Sequence, residues 1–276
     1  MTKKIAFGWY GGKFSHLDWL LPLLPQSFHY CEPFGGSAAV ILNRHPAPIE
    51  TFNDLDNDIV IFFKVLRENK EELIEKIGLT PFSRKEFEIA SKYDSNIDDI
   101  ERARLFFVRA RQVRTGLAQK ASGGRWAHCV LTSRAGMAGA VSRWLGSVES
   151  LSDIAQRLLR IQIENRPAIE VIKRYDSTET LFYCDPPYPH ESRSDSNAYK
   201  YEMTNKEHEE LANVLHDIKG KVAISGYECD LMNNLYGDWN VHYNKIKKIN
   251  SSKAEKREVL WTNYIPDTYH ETLNLL

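Results

Sequence analysis

Short apolar runs and amphipathic stretches alternate along the first part of the 276-residue chain. Residues 28–32 (Phe-His-Tyr-Cys-Glu) read as a strand that ends in Pro33-Phe34-Gly35-Gly36-Ser37. Ala38–Asn43 follows with helical character. Pro48–Asn53 reads as a second strand. Asp54-Leu-Asp-Asn-Asp58 then leads into an apolar-periodic helix, Ile59–Leu66. Alternation of strands and helices in this order is the signature of a parallel α/β sheet.

The pattern changes between about Lys70 and Ser150. Charged helical stretches at Glu71–Ile77, Arg84–Tyr93 and Ile100–Val113 run into a Gly-rich loop, 121–125. A second stretch, Thr132–Gly146, is rich in Gly, Ser and Ala and reads as loop-like. The α/β alternation resumes with a helix at Leu151–Leu159, a strand at Ile161–Glu164 and a helix at Ala168–Tyr175. Leu181–Cys184 is a fully apolar strand that runs into Asp185-Pro186-Pro187-Tyr188. A helix at Lys206–Leu215, a strand at Val222–Ser225, a helix at Asp230–Leu235 and strands near Trp239–Ile246 and Glu258–Tyr264 complete it. The organisation expected is one sheet domain made of residues 1–68 and 151–276, interrupted by a mainly helical insert, 69–150.

Composition adds a core and removes several classes. With 42% hydrophobic residues the chain can bury a sizeable interior, and no repeat of solenoid length is present. The start, Met1-Thr-Lys-Lys-Ile-Ala-Phe, has no long apolar region, so no signal peptide is expected. No apolar run is long enough to span a membrane. Cys31, Cys129, Cys184 and Cys229 are far apart and in no metal-binding spacing, so neither zinc nor a disulfide framework is expected. A cytoplasmic protein with reduced thiols fits.

The net charge of −1 conceals an asymmetry. From Arg102 to Val148 there are nine Lys or Arg and no Asp or Glu: Arg102, Arg104, Arg109, Arg111, Arg114, Lys120, Arg125, Arg134 and Arg143. The remainder of the chain is therefore −10. A solvated helix face usually interleaves acids, so a polyanionic partner for the middle of the chain is the stronger reading.

Two motifs carry chemistry. A glycine turn after a first strand lets a ligand approach the backbone, and an acidic residue after the next strand can bind ribose hydroxyls. Glu32 precedes such a turn and Asp54 follows 22 residues later. A purely structural turn would look the same. The dinucleotide fingerprint G-x-G-x-x-G and the P-loop pattern are both absent, which disfavours NAD, FAD and P-loop nucleotides. The second motif is Asp185–Tyr188. Its prolines remove two N–H donors and leave carbonyls as acceptors at the carboxyl end of a strand. A carboxylate, a carbonyl and an aromatic face together suit a planar ring that bears an amino group. A Pro-Pro loop with a capping Asp is the plain alternative.

With these residues in view, the chain resembles the Dam-type (alpha-class) DNA adenine-N6 methyltransferases over nearly its whole length. Trp9-Tyr10-Gly11-Gly12-Lys13 is similar to the family's WxGGK motif, and Glu32–Ser37 to its first AdoMet motif. Asn53–Asp58 is similar to its acidic second-strand motif and Asp185–Tyr188 to its catalytic tetrapeptide. Ser225-Gly-Tyr227 and Leu260–Tyr264 are similar to its later sheet motifs. The family often has Asp-x-Asn where this chain has Asp54-Leu55-Asp56, which leaves the role of Asp56 open.

The resemblance implies a Rossmann-like methyltransferase sheet, mostly parallel with one reversed strand, and a target-recognition insert at 69–150. It implies an AdoMet-dependent, site-specific enzyme that methylates a flipped-out adenine in duplex DNA, in a bacterial or phage-infected cell and associated with restriction–modification. The catalytic residues would be Asp185, Pro186, Pro187 and Tyr188. AdoMet would be bound by Trp9, Lys13, Glu32, Pro33, Phe34, Gly35, Gly36, Ser37, Asp54 and Asp185. The plain alternative takes Trp9 as core and Lys13 as a surface or phosphate-binding lysine. DNA would be held by Arg111, Arg114, Lys120, Arg125 and Arg134, with Trp126 more suited to the core than to a wedge. Lys245, Lys247, Lys248, Lys253, Lys256 and Arg257 form a second basic patch, or a solvated loop. No metal and no cysteine nucleophile is needed, and a monomer is expected. The other readings are an amino-methyltransferase acting on cytosine in DNA or on RNA, and a non-catalytic DNA-binding regulator that keeps the fold.

Overall fold

The computed structural model describes residues 3–92, 96–114, 123–193, 200–245 and 257–266. From the amino end the elements are α1 (Leu17–Leu20), β1 (His29–Glu32), β2 (Ile49–Asn53), α2 (Asn57–Glu68), α3 (Lys70–Leu79), α4 (Arg84–Ala90) and α5 (Asp99–Gln112). The middle adds β3 (Ser133–Arg134), β4 (Met137–Ala138), α6 (Gly139–Glu149) and α7 (Leu151–Leu158). Then come β5 (Gln162–Glu164), α8 (Ala168–Tyr175), β6 (Thr180–Cys184), α9 (Asn205–Asp217), β7 (Lys221–Tyr227), α10 (Asp230–Tyr236), β8 (Asn240–Tyr243) and β9 (Glu258–Thr262).

The chain separates into two compact units. A helical unit takes Met1–Phe14, Gly36–Asn43 and Asp56–Ile163, and a sheet unit takes Ser15–Gly35, Arg44–Leu55 and Glu164–Leu276. This division does not fall at residues 69 and 150.

Among the described residues the main sheet has seven strands in the order β5-β2-β1-β6-β7-β9-β8. β1 pairs in parallel with β2 and β6, and β6 pairs in parallel with β7. β9 is antiparallel to both β7 and β8. This is the mostly parallel sheet with one reversed strand expected from the sequence. β1 and β6 are buried throughout, as strands covered on both faces must be. Cys31, Phe182, Cys184 and Ile224 from the strands pack with Val171 and Ile172 of α8, Leu211 and Leu215 of α9 and Trp261 of β9.

The helical unit is built around aromatic rings. Phe7 meets Phe62, Phe63 and Phe106 at centroid distances of 5.0–5.7 Å, and Phe107 meets Phe62 and Trp144. α2 is buried over Ile59–Phe63, Val65 and Leu66, the mark of a central helix. Its start resolves the role of Asp56, whose side chain accepts from the Asp58 N–H as the helix N-cap. Asp58 in turn accepts from Arg102 at 2.7–2.8 Å and from Arg109 at 3.1 Å.

Two segments differ from expectation. Ala38–Asn43 is a run of turns rather than a helix. Ala38 has φ +56°, which breaks a right-handed helix at its first residue. The segment is apolar because Ala38–Leu42 is buried. Thr132–Gly146 is not a loop. Ala135 (φ +51°) and Gly136 (φ +73°) make a two-residue turn between β3 and β4, where positive φ at both positions matches strand twist. α6 then begins at Gly139 and buries Ala140, Trp144 and Ser147 along one stripe.

Among the described residues no helix is long and apolar enough to cross a membrane. Asp58 neutralises two arginines whose side chains are only 15–17% exposed. Asp58→Ala is expected to destabilise the protein by about 3 kcal/mol, since it removes the buried carboxylate that two largely buried guanidinium groups share. Urea unfolding checks this.

Candidate active site

In the sheet unit the strand order reverses between β1 and β6, since β1 has β2 on one side and β6 on the other. Open α/β sheets bind ligands beyond the carboxyl ends of the strands at such a switch point. The register pairs His29 with Thr180 and Cys31 with Phe182. Glu32 therefore ends β1 level with Tyr183, and Asp185 follows the end of the neighbouring strand two residues further on.

The turn after β1 is held from β2. Asn53 is 1% exposed, and its Nδ2 donates to the carbonyls of Pro33 (2.8 Å) and Arg166 (3.0 Å). Its Oδ1 accepts from the Arg166 N–H, and its carbonyl from the Gly35 N–H at 2.8 Å. A Cβ at Gly35 would lie 2.0 Å from the Phe52 ring. Gly35 is thus required by packing on β2, which a reading of the turn as a ligand cradle did not foresee. Phe34 is half-buried against the apolar core of the sheet unit. Asp54 is half-buried, and its carbonyl accepts from Asn165.

Glu32 is 2% exposed and accepts from the Tyr30 hydroxyl at 2.8 Å. Burial pushes its carboxyl up to about 8. The Tyr30 hydrogen bond and Arg44, which lies 3.9 Å over the Tyr30 ring, work against that rise, while the Asp185 and Glu50 charges add to it.

Asp185 itself is half-buried. Burial raises the Tyr183, Cys184 and Tyr188 protons, and the Asp185 charge raises each of them further. The Glu258 charge adds to the rise at Tyr183 and Tyr188. Tyr188 is 3% exposed and donates to the Glu258 carboxylate of β9. Its ring lies edge-on to Tyr227 with centroids 4.9 Å apart. Tyr183 shares a 2.8 Å hydrogen bond with Ser225.

In the helical unit, Gly36 has φ +51°, and a Cβ there would come within 3.4 Å of the Trp9 ring. Trp9 is half-buried against Phe7 and Phe106. Lys13 is 4% exposed and donates to the Gly11 carbonyl at 2.7 Å, so it is not a surface lysine. Ser37 is buried.

The basic segment resolves into two kinds of arginine. Arg102 and Arg109 are paired with Asp58, and Arg104 with Glu101 and Glu86. All of these acids lie outside the acid-free stretch, so a count along the chain could not see them. Arg111, Arg134 and Arg143 instead line one cavity of about 600 Å³ with small residues such as Gly8, Ala110 and Gly146. Burial, with the Arg143 charge adding, lowers Arg111 to about 10. Arg143 was counted in the basic segment but not singled out.

Arg114 contacts His128, and Arg125 is half-exposed on a short turn, Gly123–Arg125. Trp126 donates to Gln112 and packs on Phe82 under Arg84. Lys120, Lys247, Lys248, Lys253 and Lys256 lie outside the described residues. Arg257 donates to the Asn244 carbonyl and covers the Tyr243 ring. Among the described residues no group of three or more His, Cys, Asp or Glu is placed to hold a metal ion.

Glu32, Asp185 and the Pro-Pro turn at one switch point are the arrangement that an amino-methyltransferase reading of the motifs requires. The sequence model of the D12 class N6 adenine-specific DNA methyltransferases matches residues 9–252, and the chain belongs to that family. It is 24% identical over 297 residues to the type II methyltransferase M.MjaIII of Methanocaldococcus jannaschii, covering 96% of this chain and 100% of the relative. It is 26% identical over 275 residues to the type II methyltransferase M1.LlaDCHI of Lactococcus lactis subsp. cremoris, covering 93% and 94%. Among solved structures it is similar to the rRNA methyltransferase aviRa from Streptomyces viridochromogenes, at 11% identity and a TM-score of 0.36 over 92% of this chain and 84% of that one.

Tyr30, Arg44 and Glu258 carry much of the geometry and stand outside the residues expected from the motifs, while Asn53 opens the second-strand motif without having been given a role. The state of Glu32 has a testable sign. Its folded value lies above the ordinary 4.5. Its contribution to stability is therefore full below pH 4.5 and is lost as pH rises through about 8. Between pH 6 and pH 8 the wild type should lose about 2 kcal/mol relative to Glu32→Gln. Urea unfolding of both proteins at the two pH values measures the difference.

Proposed function

We propose that this chain transfers the methyl group of AdoMet to the amino nitrogen of an adenine flipped out of duplex DNA, with Asp185 and the Pro186 carbonyl as acceptors for that amine. The observation that carries the reading is Asp185 at the β1/β6 switch point, followed by two residues that offer only carbonyls. The adenine lone pair is delocalised into its ring, and two acceptors on the amine hydrogens localise it. Asp185 and Pro186 thus orient the nitrogen, and Asp185 need not take a proton before transfer. Pro187 and Tyr188 complete the turn. Tyr188 is closed off, so stacking of the base on it requires a neighbour to move aside.

The donor set fits AdoMet. Glu32 and Asp54 are acidic groups at the ends of adjacent strands of the sheet unit, suited to hydroxyl and ammonium groups. AdoMet supplies a sulfonium methyl as the electrophile when bound. Asp54 takes the ribose. Glu32, Pro33, Phe34, Gly35 and Ser37 form or flank the turn. Trp9 and Lys13 have cofactor roles on their motif, with the Lys13 ammonium suited to a carboxylate.

Residues 69–150 are proposed as the target-recognition part. Arg111 and Arg134 hold the DNA backbone with Arg143, and Arg114, Lys120 and Arg125 extend that surface. The names of the two relatives favour a type II restriction–modification setting.

Asp185→Ala should retain part of its AdoMet binding by calorimetry and lose methyl transfer to duplex DNA; normal turnover by the variant would sink the mechanism. Arg111→Ala should weaken binding to all duplex sequences alike. It should also lower the slope of log affinity against log salt by about 1. An unchanged slope in a filter-binding titration removes Arg111 from the phosphate contacts.

A further inference from the structure

Tyr188 closes the Asp185–Tyr188 turn, and its side chain reaches into the sheet unit. The Tyr188 hydroxyl donates to the Glu258 carboxylate, and both residues are buried. β9 runs antiparallel to β7, and the register sets Glu258 directly opposite Tyr227. Residues directly opposite on paired strands project from the same face. Glu258 and Tyr227 therefore reach Tyr188 from one side of the sheet. The carboxylate accepts from its hydroxyl, and the Tyr227 ring meets its ring edge-on, at 79° with centroids 4.9 Å apart. Ser225 lies two residues before Tyr227 on β7, hence on the same face, and shares a 2.8 Å hydrogen bond with the Tyr183 hydroxyl.

A hydrocarbon side chain would fill the place of Glu258 without the cost of drying a carboxyl group. The bond to Tyr188 offsets part of that cost and does what packing alone does not. It fixes where the tip of the ring lies, while the edge-on contact with Tyr227 limits rotation of the ring plane. Burial, with the Asp185 and Glu258 charges adding, holds the Tyr188 proton well above the usual phenol range. The hydroxyl is therefore a donor at neutral pH, and it is committed to Glu258. What Tyr188 has left to offer a base is the face of its ring.

Pro186 and Pro187 have no N–H groups with which to anchor the turn. The Tyr188 side chain ties it to β9 instead. We infer that Glu258 is a positioning residue of the methyl transfer, holding the Tyr188 ring, and with it the end of the turn, at the angle the reaction needs. This rests on the roles proposed for Asp185 and Pro186 and on a base that lies against Tyr188.

The test measures kcat and KM for methyl transfer to duplex DNA in four variants. Glu258→Met keeps the volume and removes the acceptor, and Glu258→Gln keeps an acceptor oxygen. Tyr188→Phe removes the donor, and the fourth variant combines Tyr188→Phe with Glu258→Met. Glu258→Met and Tyr188→Phe should each lower kcat about tenfold, the cost of a small misplacement, with KM for AdoMet and DNA within about twofold of wild type. Glu258→Gln should stay within about threefold of wild-type kcat, since the bond survives. The double variant should also be about tenfold slow, because both changes break one bond; independent effects would multiply to about 100-fold. A folded Glu258→Met at wild-type kcat overturns the inference. So does Glu258→Gln as slow as Glu258→Met, or a double variant slowed by the product of the two single effects. Should Glu258→Met not fold, Tyr188→Phe decides: a lowered kcat at unchanged KM supports the inference, and wild-type kcat overturns it. Asp185→Ala, measured beside them, separates the two readings. If Asp185→Ala is inactive and Glu258→Met is normal, only the role of Glu258 fails; if Asp185→Ala is active, the site reading fails and this inference with it.

Discussion

The parallel pairing of β1 with β6 sets the terms for the rest of the sheet unit. It brings two carboxyl groups, Glu32 and Asp185, to neighbouring strand ends. Glu32 is almost fully buried and Asp185 half-buried. Two like charges at one buried place cannot both ionise cheaply. The structure keeps Glu32 largely protonated at neutral pH, under the Tyr30 hydroxyl and within reach of Arg44. The Asp185 charge adds to the rise of the Glu32 carboxyl above its ordinary value.

Each feature around that pair restrains backbone that carries few hydrogen-bonding groups of its own. Asn53 satisfies the Pro33 and Arg166 carbonyls and meets Gly35 through its own carbonyl. Tyr188 is tied to β9, the reversed strand, by way of Glu258. The reversed strand thus supplies the partner of the last residue of the Asp185–Tyr188 turn. A rigid turn suits a reaction whose barrier is lowered mainly by aligning an amine rather than by proton transfer.

Most of this frame was legible in the chain. Alternating apolar strands and amphipathic helices marked the sheet, and α8 falls where its periodicity placed it. The motif residues Glu32 and Asp185 do share a switch point. Ala38–Asn43 misled because a short apolar run looks the same whether it is a helix or buried turns, and only the positive φ of Ala38 decides. α6 was hidden because Gly, Ser and Ala carry no periodic signal until Trp144 finds Phe107. The charge of the middle segment was overcounted for a similar reason. Asp58, Glu86 and Glu101 reach Arg102, Arg104 and Arg109 only in the folded chain. Arg44 and Glu258 are polar residues at unremarkable positions, and nothing in local sequence announces that they meet Tyr30 and Tyr188.

The central claim is that the Asp185 turn presents an adenine amino nitrogen for methylation. Its most direct test is nucleoside analysis of duplex DNA after incubation with the wild-type protein and methyl-labelled AdoMet. The account predicts label in N6-methyl-deoxyadenosine and none in deoxycytidine. Label in N4-methyl-deoxycytidine, or none in DNA from a protein that binds AdoMet, would contradict it.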